Sequence, residues 1–139
     1  MFFLNGNLEN IDNLKKQILK INPKINIYLG KYEPINLNQF NNNEKYLVFT
    51  GIGNHQTFVS MIGNYGLNII KDLEFPDHYQ YTQNDINQIL VDADNLGCQI
   101  ITTEKDYYRL KDLKNEKIKY LKSELKIINE EKLINLIIK

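Results

Sequence analysis

At 139 residues the chain holds one domain's worth of polypeptide, long enough to bury roughly two-thirds of its unfolded surface. Hydrophobic residues make up 42% and charged residues 24%, and basic and acidic side chains balance at 17 each, so no global field recruits nucleic acid or anionic lipid. The single arginine, Arg109, argues against a site built on bidentate phosphate clamps, and the single cysteine, Cys98, excludes an internal disulfide.

The apolar pattern switches repeatedly between short strand-like runs and helical spacing. The N-terminal MFFLNGN lacks the basic segment and long apolar stretch of a signal peptide, and Phe2-Phe3-Leu4 reads as a strand ending at an Asn5-Gly6 turn. Ile11, Leu14, Ile18 and Ile21 follow at helical spacing until Pro23 stops them, and Ile25 to Leu29 alternates like a half-buried strand. Residues 36–44, NLNQFNNNE, are the most loop-like part of the chain. Tyr46 to Thr50 is a continuous apolar strand of the kind a parallel sheet covers on both faces.

GIGN (Gly51–Asn54) then turns the chain into a helix with Phe58, Met61, Ile62 and Tyr65 on one face. A strand over 67–74 leads to FPDHYQYT (Phe75–Thr82), where Thr82 and Asp85 form a capping box for a helix with Ile86, Ile89, Leu90 and Ala93 inward and Gly97 at its stop. Cys98 beside Ile100-Ile101 reads as a buried, inert thiol. A strand over 99–102 opens into TTEKD and a short helix, and strands near 119–121 and 125–128 precede a helix over 130–138. Strands alternating with helices call for an α/β domain spanning residues 1–139, with a mostly parallel Rossmann-like sheet and helices on both faces. No apolar run reaches the roughly 18 residues a membrane helix needs, so a soluble, cytoplasmic chain is expected.

In an open α/β sheet, ligands bind beyond the carboxyl ends of the strands. Three polar loops leave such ends. GIGN allows close backbone approach at Gly51 and Gly53, and the helix after Asn54 favours an anion, although Gln56 stands where a dinucleotide fingerprint would need its third glycine. FPDHYQYT places Asp77 beside His78, and a carboxylate can fix the tautomer of an imidazole that does acid–base work. TTEKD sets Glu104 and Asp106 at a helix start after Thr103, with Lys105 disfavoured there unless an anion pairs with it. Each loop also has a plain reading, as a strand–helix turn, a solvated loop over core rings, and a capped helix start. No GxxxxGK[ST] occurs, and two histidines with scattered carboxylates make no recognised metal spacing.

In this order and spacing the three motifs resemble one family, the tetraacyldisaccharide 4′-kinases, in which a GIGNP-type turn, FPDHH or FPDHY followed by Tyr-Thr, and a TEKD turn succeed one another. The chain departs from that pattern at His55, where proline is usual. The resemblance covers nearly the whole chain and places it as the C-terminal half of proteins about twice as long. It implies the second, Rossmann-like lobe of an enzyme transferring the γ-phosphate of ATP to the 4′-hydroxyl of tetraacyldisaccharide 1-phosphate, giving lipid IVA.

By that resemblance the other half would carry the P-loop, the Mg²⁺-binding carboxylates, a catalytic aspartate and a segment seating the enzyme at the cytosolic face of the inner membrane. His78, with Asp77 beside it, would act on the catalytic side, and Gly51, Gly53, Asn54, Thr103, Glu104, Lys105 and Asp106 on the nucleotide or substrate. ATP and Mg²⁺ belong to the complete enzyme, with no cofactor or metal held by this chain alone. Its partners would be the P-loop half and the lipid A precursor disaccharide, with no nucleic acid. The expectation for Asp77 is that it caps its own turn while His78 projects into the cleft. Two other readings are a non-catalytic remnant serving as a nucleotide- or partner-binding module, and an independent small-molecule enzyme using Asp77 and His78 as acid and base.

Overall fold

The run Tyr-Leu-Val-Phe at residues 46–49 has no polar face, and such a strand needs cover on both sides. In the computed structural model, which describes residues 2–4 and 8–138 and side chains from residue 10 to 138, this run lies in β3 (Lys45–Thr50). Tyr46 to Thr50 are each at most 1% exposed. The strand pairs on one side with β4 (Asn68–Glu74) and on the other with β5 (Gln99–Thr103). Beyond β5 lies β6 (Ile118–Leu121), every pairing is parallel, and the order is β4-β3-β5-β6.

Alternate residues of β3 show what covers each face. Tyr46 and Val48, with Ile101 and Leu121, pack against Phe58, Met61 and Ile62 of α2 (His55–Asn64). Leu47 and Phe49, with Ile100 and Ile118, pack against Ile86, Ile89 and Ala93 of α3 (Gln83–Leu96) and against Leu110, which follows α4 (Glu104–Arg109). Each such Val, Leu, Ile, Phe or Met side chain contributes about 1.5–3 kcal/mol when removed from water. The α/β layer with a mostly parallel sheet flanked by helices is therefore the architecture of this region.

Residues Pro34–Ser123 make up one compact unit; residues up to Glu33 together with those from Glu124 form a second. The strands accordingly fall into two sheets. The second sheet has the order β1-β2-β7, from β1 (Phe2–Leu4), β2 (Ile27–Pro34) and β7 (Ser123–Ile128), with β1 and β2 parallel. In this unit α1 (Leu8–Ile21) buries Ile11 and α5 (Glu130–Ile137) buries Leu133. The strand read at Ile25–Leu29 begins later because Asn22 closes a turn, its side chain accepting from the Lys24 amide and its carbonyl from the Ile25 amide. The Asn5-Gly6 turn lies outside the described residues.

Two local readings change. The 36–44 stretch is pinned at both ends. Asn36 is buried, its amide donating to the Tyr120 carbonyl and accepting from the Lys122 amide, while the Tyr46 hydroxyl donates to the Asn41 carbonyl and accepts from the Asn41 amide. Cys98 is half-buried where full burial was expected; burial pushes its thiol up, which keeps thiolate scarce.

The start and stop of α3 follow their sequence signals. Thr82 Oγ1 accepts from the Asp85 amide while the Asp85 carboxylate accepts from the Thr82 amide at 2.8 Å, and Gly97 ends the helix at φ 63°. The Thr82 amide is the main reason the Asp85 carboxyl titrates below its ordinary value, so its stabilisation is present above 3.8 and is lost as pH falls through the lower folded value. Thr82→Ala is expected to cost about 1 kcal/mol at neutral pH. Asp85→Asn should flatten the acid side of the stability profile. Urea titrations across that range check both, and equal acid slopes for Asp85→Asn and the unaltered chain would contradict the second.

Candidate functional site

Because β4, β3 and β5 run parallel, with Thr50 beside Glu74 and Phe49 beside Thr102, the loops that follow them emerge at one edge of the sheet. β3 is also where the strand order reverses, the position at which open α/β sheets form a crevice. GIGN, FPDHYQYT and α4 meet there through the Gly51 carbonyl, which accepts from the His78 amide at 3.0 Å and from Arg109 Nη1 at 2.7 Å, and Arg109 in turn donates to Asp106 of TTEKD. A Cβ at Gly51 would stand 3.0 Å from Tyr81 Oη and 3.2 Å from the Pro76 carbonyl, so the FPDH turn lies directly on the glycine.

The rings of FPDHYQYT belong to the layer below. Phe75, Tyr79 and Tyr81 pack edge-on or tilted against one another, and Phe49 takes Phe75 and Tyr81 edge-on with centroids 6.4 and 5.4 Å away. Tyr81 is 8% exposed. Its hydroxyl donates to Asp106 Oδ1 at 3.1 Å, and burial, reinforced by that carboxylate, holds the phenol well above its usual range. Tyr79 is raised in the same way, by burial first and by Asp85 next.

Above this layer His78 stands out. Its backbone is left-handed at φ 60°, and its side chain is 79% exposed. Nδ1 lies 3.0 Å from Arg109 Nη2, and Nε2 lies 3.6 Å from Asp77 Oδ2, beyond direct hydrogen-bond range. The expected cap by Asp77 is not what the turn uses. Among the described residues the Asp77 carboxylate takes no backbone amide; it faces the imidazole on one side and Gly53 on the other, where a Cβ would stand 3.7 Å from Oδ2. The turn is closed instead by the His78 amide on Gly51 and the Tyr79 amide on Pro76, which leaves the carboxylate free beside the ring.

The other sequence-derived site residues divide by exposure. Gly51, Thr103 and Asp106 are buried, Glu104 is half-buried, and Gly53, Asn54 and Lys105 are exposed. Asp106, at 0% exposure, accepts from Tyr81 and Arg109 at Oδ1 and from Thr103 Oγ1 at Oδ2, while its own amide donates to Thr103. Its oxygens are occupied within the fold, so it shapes the site from below. Glu104 pairs with Lys122 at 3.5 Å, and among the described residues no carboxylate pairs with Lys105. Asn54 precedes α2 without a side-chain cap.

His55, the other histidine, is 1% exposed and has both nitrogens engaged. Asp72 can only accept, so Nε2 carries the proton across 2.7 Å, and Nδ1 takes the Thr50 hydroxyl at 2.8 Å. It ties β3 to β4 and is not part of the exposed cluster. Among the described residues no group of three His, Cys, Asp or Glu side chains could hold a metal.

Arg109 is the member that sequence reasoning passed over. Its distant partners lie 58 and 31 residues away in sequence, and the local signal was its i,i+3 spacing from Asp106 on α4.

Residues 4–139 match the family model described as tetraacyldisaccharide-1-P 4′-kinase. The chain is similar to the tetraacyldisaccharide 4′-kinase of Pelagibacter ubique (strain HTCC1062), 52% identical over 137 residues that are 99% of this chain and 44% of that protein. It is similar to that of Rickettsia canadensis (strain McKiel), 43% identical over 94 residues, 67% of this chain and 28% of that protein. In fold it is similar to the crystal structure of the "apo" form of LpxK from Aquifex aeolicus in complex with ATP, at TM-score 0.51 and 18% identity, covering 97% of this chain and 50% of that one. The chain therefore spans half or less of the length of each of these proteins.

The left-handed backbone at His78 yields a test that is independent of activity. Glycine pays no steric penalty at φ 60°, whereas alanine bears one of about 1–2 kcal/mol. His78→Gly is expected to be at least as stable as His78→Ala, by roughly 1 kcal/mol in denaturant titrations. A His78→Ala protein clearly more stable than His78→Gly would show that the turn does not hold this conformation.

Proposed function

Because the chain belongs to the tetraacyldisaccharide-1-P 4′-kinase family, we propose that it supplies the histidine-bearing lobe of an enzyme that transfers the γ-phosphate of ATP to the 4′-hydroxyl of tetraacyldisaccharide 1-phosphate, giving lipid IVA. The observation that carries this reading is His78 itself. It is an exposed imidazole on a left-handed turn, held by hydrogen bonds to the GIGN turn and from Arg109 of α4 at the switch point of a parallel sheet.

Phosphoryl transfer asks the protein mainly for positioning and charge stabilisation. His78 meets the first requirement, since its backbone and one ring nitrogen are fixed while the side chain as a whole stays 79% exposed. In the complete enzyme it pairs across the cleft with a carboxylate of the P-loop-bearing half, and together they act on the sugar hydroxyl. Asp77 stands beside the ring as a second carboxylate. Gly53, Asn54, Glu104 and Lys105 line the approach to the nucleotide or the sugar phosphate. Gly51, Thr103 and Asp106 serve the same contact indirectly, by setting the loops that carry it.

ATP is the phosphate donor, and Mg²⁺ is assigned no ligand among the described residues. No helix among them is long and apolar enough to cross a membrane.

The test is the chain combined with a P-loop half and assayed with ATP and the tetraacyldisaccharide 1-phosphate. His78→Ala is expected to lower kcat about 10²-fold with little change in KM for ATP, because the lost interaction helps the reacting hydroxyl and not the nucleotide. An unchanged kcat would leave FPDHYQYT a structural turn.

A further inference from the structure

We propose that Arg109 is the positioning residue for His78, fixing the imidazole as its Nε2–H tautomer so that it meets the cleft as a hydrogen-bond donor. This rests on the reading of His78 as the acting group of the lobe.

A guanidinium has five N–H donors and no acceptor, and stays protonated in proteins. Nη2 stands 3.0 Å from His78 Nδ1, so Nδ1 must offer its lone pair. A neutral imidazole with its Nδ1 lone pair engaged carries its one proton on Nε2. The guanidinium is itself fixed. Nη1 donates to the Gly51 carbonyl at 2.7 Å and to Asp106 Oδ1 at 3.1 Å, and the side chain is only 19% exposed. Three acceptors from the GIGN turn, the FPDH turn and α4 thus hold one planar group. The Gly51 carbonyl also takes the His78 amide, so the backbone and ring of His78 are located from a common point.

The consequence is a division of roles. An imidazole that carries its proton on Nε2 cannot accept another there without first losing its own. Its work is to donate to a carboxylate, orienting the oxygen that meets the substrate hydroxyl. Asp77 Oδ2, 3.6 Å from Nε2, shows a carboxylate already lying on that side of the ring. A lysine at position 109 could reach one of the three acceptors but could not span them, because an ammonium is a point donor.

Two readouts test this. The chain has two histidines, so long-range ¹H–¹⁵N imidazole spectra of the 139-residue chain resolve into two spin systems, assigned with His78→Gln. At about pH 8, where imidazoles are neutral, His78 is expected as one Nε2–H species. A substantial Nδ1–H share in the unaltered chain would overturn the proposal, and the tautomer itself is read from the unaltered chain.

The second readout is the reassembled kinase. Arg109→Lys and Arg109→Ala are expected to lower kcat about 10- to 100-fold, the scale seen when a metal-bound imidazole loses its orienting partner, with KM for ATP little changed. Added guanidinium ion should restore part of the Arg109→Ala rate and none of the His78→Ala rate. Retained kcat, or a loss that appears in KM alone, would reduce Arg109 to an ion pair for Asp106. If the unaltered chain with its P-loop half transfers no phosphate, the kinase reading fails while the spectra still decide the tautomer.

Discussion

A carboxylate taken out of water costs several kcal/mol unless donors replace the lost solvent, and Asp106 is completely buried. Its donors come from separate pieces of chain: Tyr81 from the loop after β4, Thr103 from the end of β5, and Arg109 from the last turn of α4. Satisfying one buried charge therefore draws three segments to one point. Removing any one donor would leave a buried oxygen poorly matched, which makes this cluster expensive to disturb. The rest of the site follows from it, because the guanidinium that pairs with Asp106 has N–H groups left over. Those groups reach the Gly51 carbonyl and the His78 ring.

The exposed histidine also depends on what lies beneath it. A left-handed backbone costs roughly 1–2 kcal/mol for a residue with a Cβ. Edge-to-face ring pairs contribute about 0.5–1.5 kcal/mol each beyond the area they bury, and Phe49, Phe75, Tyr79 and Tyr81 form several. The ring layer thus offsets the local strain, and the strain in turn aims His78 outward. The aromatics of FPDHYQYT and its histidine are two halves of one device, one buried and one exposed.

The parts legible in the sequence were those written in local pattern. The unbroken apolar run at Tyr46–Thr50 implied a strand covered on both faces, Thr82 with Asp85 implied a helix start, and Gly97 implied its end. Three polar loops following strands implied a shared edge. The parts that stayed hidden depend on contacts distant in sequence. Arg109 reads in sequence as a lone arginine arguing against phosphate clamps, since nothing near it shows that its partners are Gly51 and His78. Thr103 and Asp106 looked like ligand-binding residues because a capping pair and a polar binding pair have the same composition; only burial separates them. Asn36 sat in the most loop-like stretch, and nothing local showed that its amide completes the backbone bonding of Tyr120 and Lys122.

Strand order explains why this arrangement can exist at one place in the sheet. His78 follows β4, Gly51 follows β3 and Arg109 belongs to the helix after β5, so in the order β4-β3-β5 the glycine carbonyl lies between the other two. Neighbouring strands are about 4.8 Å apart, which puts β4 and β5 roughly 10 Å from each other. That distance is too long for a direct contact between short side chains, but the long arm of an arginine leaning over the end of β3 can cross it. With β4 moved beyond β6, the gap would grow past any side chain's reach and Gly51 would have no neighbour on that side. The reversal of strand order at β3 therefore does more than open a crevice. It sets the one spacing at which a buried carboxylate, a glycine carbonyl and an exposed imidazole can all be served by a single guanidinium.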